Sequence, residues 1–329
     1  MQTNAAAGIL PAAPRLLMKQ KKKGLGDDFF KYFVASVASI VLVIIILVVY
    51  QLISNSRLSI AKFGFGFITS STWDPVAEQF GALPMIWGTL VSSLLGLVIA
   101  LPLSLGVAIF LAELAPLFLK KWMITTFSFM VELLAAIPSI VYGLWGMFVL
   151  APWLQTTIQP WLIAHFGSIF LFQGVPYGIG MMPAGIILAI MMVPIITSIS
   201  RDVINMVPNT LKEGALALGA TRWEAIKLVL GASKSGILGA VILGMGRALG
   251  ETMAVTLVIG NTPQIKTSLL EPATTMASVL ANEFTEATSD MYISSLIEVG
   301  LLLFLITIVV NVIARYLVWQ ASKNLVQSR

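Results

Sequence analysis

Between Lys31 and Arg57 the chain runs 25 residues without an Asp, Glu, Lys or Arg; from Glu78 to Glu113 it runs 34, and from Glu132 to Arg201 it runs 68. These intervals constrain the fold more than any other feature. A helix rising 1.5 Å per residue needs about 20 mostly apolar residues to cross the ~30 Å hydrocarbon core of a bilayer. A soluble domain carries about 25% charged residues, whereas this chain has 11% charged and 58% hydrophobic residues. The mean hydropathy of +0.93 agrees. Soluble globular folding and disorder are both excluded.

The intervals predict six transmembrane helices in an all-α integral membrane protein. The first centres on Val41–Val49. Its apolar core is longer than the roughly 7–15 residues of a secretory signal and no A-x-A-like site follows, so it reads as an uncleaved anchor. The second lies between Glu78 and Glu113, with Pro102 expected to break it near its inner end. Pro152, Pro160, Gly174 and Pro176 punctuate the longest interval, which predicts spans three and four joined by an apolar loop. A fifth span is expected from about Gly236 to Ile259, and a sixth from about Tyr292 to Val318.

Lys and Arg gather on the cytoplasmic side of membrane proteins. Six spans put both termini on one side, where sixteen of the twenty bases fall, among them Lys19, Lys21, Lys22, Lys23, Lys120, Lys121, Arg201, Lys212 and Arg315. Both termini are therefore expected in the cytoplasm. The expected division is a basic tail at 1–28, the first span and an outer segment at 29–80, the main transmembrane domain at 81–318 with a cytoplasmic loop at 201–234, and a second tail at 319–329. The Lys19–Lys23 cluster suits anionic lipid as well as a plain topology signal.

Several chemistries are missing. With no Cys and one His there is no thiolate zinc site, Fe–S cluster, Cys nucleophile or multi-histidine centre. No lysine follows a glycine, so the G-K-[ST] core of a P-loop is absent. No carboxylate pair or Ser-His-Asp set suggests catalysis. His165, between Trp161 and Phe166, reads as an interfacial side chain of an outer loop. Trp87, Trp153 and Trp161 read as interfacial anchors, and Pro138, Pro183 and Pro194 as kinks.

Arg201–Lys234 is the long polar stretch. Asn209 or Thr210 is placed to cap a short helix after Pro208, with Gly219 as its stop. Thr221 and Glu224 form a capping box for a second helix. On residue chemistry alone, a connector on the membrane surface and a knob that docks a partner are equally open. Within the fifth span, Arg247 falls roughly 16 Å from Gly236, near the midplane. Glu251 lies one turn on, at i+4 on the same face, and Gly246 with Gly250 forms a G-x-x-x-G pair suited to close helix approach. Ionised groups in hydrocarbon need a partner or a wet cavity. Glu132 and Glu298 are further candidates for buried carboxylates, and Thr252 and Ser139 for lining a polar path. A structural ion pair and a transient anion site are equally open for Arg247 and Glu251.

Glu213-Gly214-Ala215, then Gly219, then Val229-Leu230, resembles the EAA loop of ABC importer membrane subunits. Gly214 stands where that family usually has Ala, and Gly231-Ala232 where Leu-Pro usually closes the motif, a departure expected to loosen the start of the fifth span. Gly246-Arg-Ala-Leu-Gly-Glu-Thr-Met-Ala-Val255 is similar to the fifth-span signature of phosphate-specific permeases of the PstC type. So are Glu132-Leu-Leu-Ala-Ala-Ile-Pro-Ser-Ile-Val-Tyr-Gly143, Ile259-Gly-Asn-Thr262 and Ala281-Asn-Glu-Phe284. The sister PstA-type permease shares the Gly-Arg-Ala-x-Gly-Glu-Thr core.

The resemblance implies a type I ABC importer permease fold and a transport subunit for inorganic phosphate that is not itself an enzyme and holds no cofactor. It implies a bacterial inner-membrane location, a homologous PstA-type permease, two copies of a PstB-type ATPase and an extracytoplasmic phosphate-binding protein as partners, with membrane lipid but no nucleic acid. Under it, Arg247, Glu251, Thr252, Glu132 and Glu298 line the substrate pathway. Glu213, Gly214, Ala215, Gly219 and Arg222 couple to the ATPase. Alternatives are the PstA-type sister, a permease for another oxyanion, or a secondary anion transporter using Arg247, Glu251 and Glu298. The EAA-like loop stands against the last.

Overall fold

The computed structural model describes residues 25–327, and side chains from 29 to 320. The expected basic tail before residue 25, with its Lys19–Lys23 cluster, lies outside the described residues. The chain divides into two units, up to Tyr50 and from Gln51 onward. The first unit holds most of α1 (Leu25–Asn55), whose side chains from Phe29 to Val48 are exposed. A helix clothed on all sides in Ile, Val and Leu has no polar face to give to water, so hydrocarbon is the solvent it suits.

The second unit opens with α2 (Arg57–Phe63), α3 (Gly66–Thr69) and a hairpin of β1 (Trp73–Asp74) and β2 (Gln79–Phe80), in which Trp73 faces Phe80. Next comes α4 (Leu83–Ile109), then a π turn (Phe110–Leu114), α5 (Ala115–Phe118) and α6 (Lys121–Ala136). A longer run follows: α7 (Ser139–Trp145), a π turn (Gly146–Leu150), α8 (Ala151–Trp153), a third π turn (Leu154–Ile158) and α9 (Gln159–Phe166). The remaining helices are α10 (Met181–Asn205), α11 (Asn209–Ala217), α12 (Arg222–Leu249), α13 (Met253–Thr256), α14 (Met276–Glu283) and α15 (Asp290–Gln327).

Five helical runs are long and apolar enough to cross a membrane, namely Phe29–Asn55, Leu83–Phe118, Met181–Asn205, Arg222–Leu249 and Asp290–Gln320. Lys121–Ala136 with Ser139–Phe166 makes a sixth if this pair, bent by 87° at Ile137-Pro138, is one span. The protein is thus a multi-pass, helical membrane protein, as expected.

The prolines act differently from the expectation. Pro102 does not break the second span but sits inside α4, and the helical run continues to Phe118. The third span begins at Lys121 rather than near Leu133, and Pro152 and Pro160 lie inside its helical run instead of in a loop. The physical reason is local. Proline lacks the N–H that would bond the carbonyl four residues back. Each of the three π turns ends two residues before a proline: Leu114 before Pro116, Leu150 before Pro152, and Ile158 before Pro160. The backbone takes up the wider i→i+5 ladder there, and the helix goes on. The fifth span departs too. α12 starts at Arg222 and stops at Leu249, short of Ile259. At 1.5 Å per residue it is about 42 Å long, more than the hydrocarbon core requires. It passes through Gly231-Ala232 without interruption, so the departure expected to loosen its start does not.

The core forms where α4 and α10 approach through small residues. Thr197 donates to the carbonyl of Ser104 at 3.3 Å, and Ala100, Leu188, Ala189, Met192 and Ile196 are buried together. Small side chains let backbones close in, and dispersion rather than water exclusion holds helices together in lipid. A second cluster joins Phe67, Trp73 and Phe80 of the hairpin region to Met85, Met276, Tyr292 and Leu296. Gly88 sets the distance between α4 and the segment before α14: a Cβ there would stand 1.9 Å from the Thr274 carbonyl oxygen. Beside it, Thr89 Oγ1 accepts the Met276 N–H at 3.0 Å.

Two alanine substitutions are expected to act with opposite sign. Gly88→Ala forces backbone apart and destabilises by about 1–3 kcal/mol, the range for overpacking. Gly231→Ala meets nothing within 4 Å and gains up to about 1 kcal/mol of helix propensity. Thermal unfolding in detergent reads both.

Candidate functional site

The fifth span is interrupted where its charges sit. α12 ends at Leu249, Gly250 caps it at φ −96° and ψ 3°, and α13 begins only at Met253. Arg247 and Glu251 are therefore not at i and i+4 of one continuous helix. No ion pair joins them among the described residues. Arg247 stands exposed in the last turn of α12. The unsatisfied carbonyls of a helix C-terminus favour a cation by about 0.3–1 kcal/mol, so the break gives the guanidinium a place it could not have mid-helix. Across the Pro138 bend, the Tyr142 hydroxyl of α7 donates to the Leu134 carbonyl at 2.7 Å.

Glu251 turns the other way and is buried. Its Oε1 accepts the Ala254 N–H at 3.3 Å, which satisfies a donor at the start of α13. Thr252 is half-buried; its carbonyl accepts from both Thr256 N–H, at 2.9 Å, and Thr256 Oγ1, at 2.7 Å. Between α13 and α14 the chain is not helical, and it exchanges backbone bonds with the 167–180 loop and with α10. Gly180 donates to Val258, Met182 to Leu269, and Leu269 to Leu171. Irregular backbone at membrane depth is tolerated where it is satisfied inside the protein in this way. The buried Ala254, Val255, Val258 and Ile259 anchor the break to the α4–α10 core.

The G-x-x-x-G pair does not bring a helix of this chain close. Nothing lies within 4 Å of a Cβ at Gly246, and at Gly250 only the Gly246 carbonyl oxygen does, at 3.8 Å. Leu243, Arg247, Gly250 and Met253 are all exposed, so the break presents an uncovered strip with one cation in it.

Glu132 is not a buried carboxylate. Its side chain is 52% exposed and pairs with Arg201 at 3.1 Å, and Arg201 also holds Asp202 at 2.8 Å. The interval that surrounds Glu132 in sequence is apolar, but the end of α6 lies beside the polar end of α10. Glu298 is buried, as expected. It lies beside Ser59 of α2 with its Oε2 buried and without a hydrogen-bond partner among the described residues, next to a group where Ser295 Oγ donates to Ser59 Oγ at 3.1 Å and Ser59 N–H to Ser294 Oγ at 3.2 Å. Neither Glu132 nor Glu298 has a hydrogen bond or ion pair with Arg247 or Glu251 among the described residues. Of the five residues expected along the pathway, the break unites Arg247, Glu251 and Thr252 only.

The polar loop folds as one short helix, α11, followed by the first turns of the long α12, so the second short helix expected is the start of the fifth span itself. α11 follows Pro208, but no side chain caps it: Asn209 and Thr210 are already inside the first turn, and Pro208 occupies the cap. Gly219 closes it at φ +87°, with Gly219 N–H on Leu216 and Ala220 N–H on Ala215, a closure only glycine makes without strain. The capping box forms as expected: Thr221 N–H donates to Glu224 Oε2 at 2.7 Å and Glu224 N–H to Thr221 Oγ1 at 3.4 Å. Glu213, Gly214, Leu216, Leu218 and Arg222 are exposed, and Ala215 is half-buried. A Cβ at Gly214 would meet nothing within 4 Å.

Sequence reasoning missed two polar constellations. Lys212, beside Glu213 but facing inward, pairs with buried Glu113 of the first π turn. At the opposite end, Glu283 Oε2 accepts from Trp73 Nε1 at 2.8 Å and from Tyr292 hydroxyl at 2.6 Å. The partners are far apart in sequence, so spacing carries no signal for either. His165 lies in the last turn of α9 rather than in a loop, stacked on Trp161 at 4.7 Å.

Residues 104–320 match the family of binding-protein-dependent transport system inner membrane components. The chain is 49% identical over 302 residues to the phosphate transport system permease protein PstC of Mesorhizobium japonicum, covering 90% of this chain and 91% of that one. It is 46% identical over 303 residues to PstC of Haemophilus influenzae, covering 91% and 95%. A probable PstC of Methanocaldococcus jannaschii is 38% identical over 268 residues, covering 80% and 84%. The inward-facing MetNI methionine ABC transporter superposes with a TM-score of 0.50 at 16% identity, over 73% of this chain and 94% of that one, a likeness of fold.

Glu251→Ala removes the acceptor for Ala254 N–H and is expected to cost about 1 kcal/mol, as lost capping groups do. Glu251→Gln keeps an oxygen there and should recover most of it, read by thermal unfolding in detergent.

Proposed function

This chain belongs to the binding-protein-dependent transport system inner membrane component family and within it to the PstC-type permeases, and from that premise we propose that it is one of two permease subunits of an ATP-driven importer of inorganic phosphate. The reading places it in the bacterial inner membrane with both termini in the cytoplasm, beside a PstA-type permease, over two copies of a PstB-type ATPase. An extracytoplasmic phosphate-binding protein delivers the substrate to the outer segments around 55–80 and 261–291. The chain itself catalyses no reaction; ATP is hydrolysed by the separate subunit.

The observation that carries the mechanism is Arg247, a guanidinium left uncovered at a helix end inside an apolar slab. A charge at the bilayer centre costs about 2.5–3.5 kcal/mol on the insertion scale, so an uncovered one implies a wet path on that strip. A guanidinium offers planar paired donors to a phosphate. Phosphate meets Arg247 in the interface with the sister permease, Thr252 offers its hydroxyl nearby, and buried Glu251 fixes the break. Glu298 and Glu132 serve from the rim, Glu298 by holding α15 to α2 and Glu132 by holding α6 to α10. On the cytoplasmic face, exposed Glu213, Gly214 and Arg222 enter the ATPase groove. Ala215 and the Gly219 turn shape the knob that carries them.

In vesicles reconstituted with both permeases and the ATPase, Arg247→Gln is expected to abolish ATP-driven phosphate uptake while the complex still co-purifies. Normal uptake by that variant would remove the transport role. Uptake by the unmodified chain without any ATPase would remove the importer reading.

A further inference from the structure

The coupling knob is tied to the second span at a place where that span is not an α-helix. Glu113 belongs to the π turn Phe110–Leu114 and is 9% exposed. Its carboxylate pairs with Lys212, and among the described residues this is the one ion pair that α11 makes. Lys212 and Glu213 are neighbours on α11 that face opposite ways, Lys212 half-buried toward the span and Glu213 exposed. A cavity of about 210 Å³ lies around the pair, lined by Pro116 and Leu117 from the span and by Asn205, Pro208 and Asn209 from the knob side. The knob therefore does not rest on a filled interface there; the charge pair bridges a gap.

The π turn exists because Pro116 cannot donate to Ala112. Such a turn holds an extra residue, and passing between π and α ladders turns everything beyond it by about 100°, one residue's share of an α-turn. A shift of ladder at this turn would rotate the rest of the span as a unit, and an element with two such arrangements is what carries coupling between distant sites.

We propose that Lys212 and Glu113 form the transmission link between ATPase and pathway: the knob's displacement on ATP binding is passed through this pair to the π turn of the second span. The inference rests on the importer reading above. Both are positioning residues, distant from the substrate strip, and their contribution is to couple hydrolysis to translocation rather than to bind phosphate or to dock the ATPase.

The test uses the full complex in vesicles. Lys212→Met and Glu113→Gln are expected to co-purify with the ATPase and hydrolyse ATP, yet to take up about tenfold less phosphate per ATP, an ordinary size for coupling between sites. Lys212→Arg, which keeps a cation, is expected to retain coupling. The double variant Glu113→Gln/Lys212→Met leaves no unpaired charge, so it should regain parental thermal stability and stay uncoupled. A second readout needs no phosphate. The chain has no Cys, so Met253→Cys, exposed at the break, adds its sole thiol. ATP trapping is expected to raise its labelling by an impermeant maleimide from outside in the parent and not in Lys212→Met.

Parental uptake per ATP in the double variant would make the pair merely structural and overturn the proposal. So would parental labelling in Lys212→Met, loss of coupling in Lys212→Arg, or failure of Lys212→Met to co-purify. A parent complex that neither changes labelling nor imports phosphate removes the importer reading, and the link falls with it.

Discussion

Hydrocarbon offers no hydrogen bonds, and the rest of this structure follows from how the backbone meets that demand. Helices satisfy it internally. Where a proline deletes a donor, at Pro116, Pro152 and Pro160, the preceding turn widens and the ladder is preserved. Where the ladder stops, at Leu249, replacements are found one by one: a glutamate oxygen for Ala254, and loop carbonyls for Gly180, Met182 and Leu269. The single interruption inside the fifth span therefore draws in the 167–180 loop, the start of α10 and the segment up to Ala273. An irregular site at membrane depth comes with a scaffold built to hold it.

The same solvent decides where charge can stay. Three arrangements occur. Glu113 with Lys212 and Glu132 with Arg201 are ion pairs across different helices at the polar end of the spans. Glu251 and Glu298 are buried with no cation beside them among the described residues, Glu251 on a backbone amide and Glu298 at the serines that join α15 to α2. Arg247 is held by neither means and rests at a helix C-terminus, exposed. Breaking a buried pair from one side is far costlier than never forming it, so buried Glu113 ties its helices together more firmly than exposed Glu132 does. The unpaired guanidinium is left available.

Much of this was legible in the sequence. Charge-free intervals located five spans, and a sixth where the bent pair counts as one, because hydrocarbon excludes ionised groups without regard to tertiary detail. Capping chemistry gave Gly219 and the Thr221–Glu224 box, because those signals are local. Misreadings arose where a residue's effect depends on context. A proline in a helix can break, kink or widen it, and Pro102, Pro138 and Pro152 each do something different. Arg247 and Glu251 are four apart on paper but fall on two sides of a break. Nothing in the spacing of Glu113 and Lys212, or of Trp73 and Glu283, announces contact, because such pairings are decided only when whole helices assemble.

Glu283 accepts both the Trp73 indole and the Tyr292 hydroxyl on one oxygen, and the two rings form a triangle with Phe80, which is edge-to-face on Trp73 and stacked on Tyr292. At the hairpin tip, Asp74 Oδ1 takes the N–H groups of Val76 and Ala77, which leaves Val76 96% exposed on an ordered mount. Most apolar side chains that stand this far into solvent ride on mobile loops and surrender conformational freedom when covered. This one has already surrendered it. The entropy of ordering was spent during folding, and covering the tip costs little more than the loss of overall tumbling.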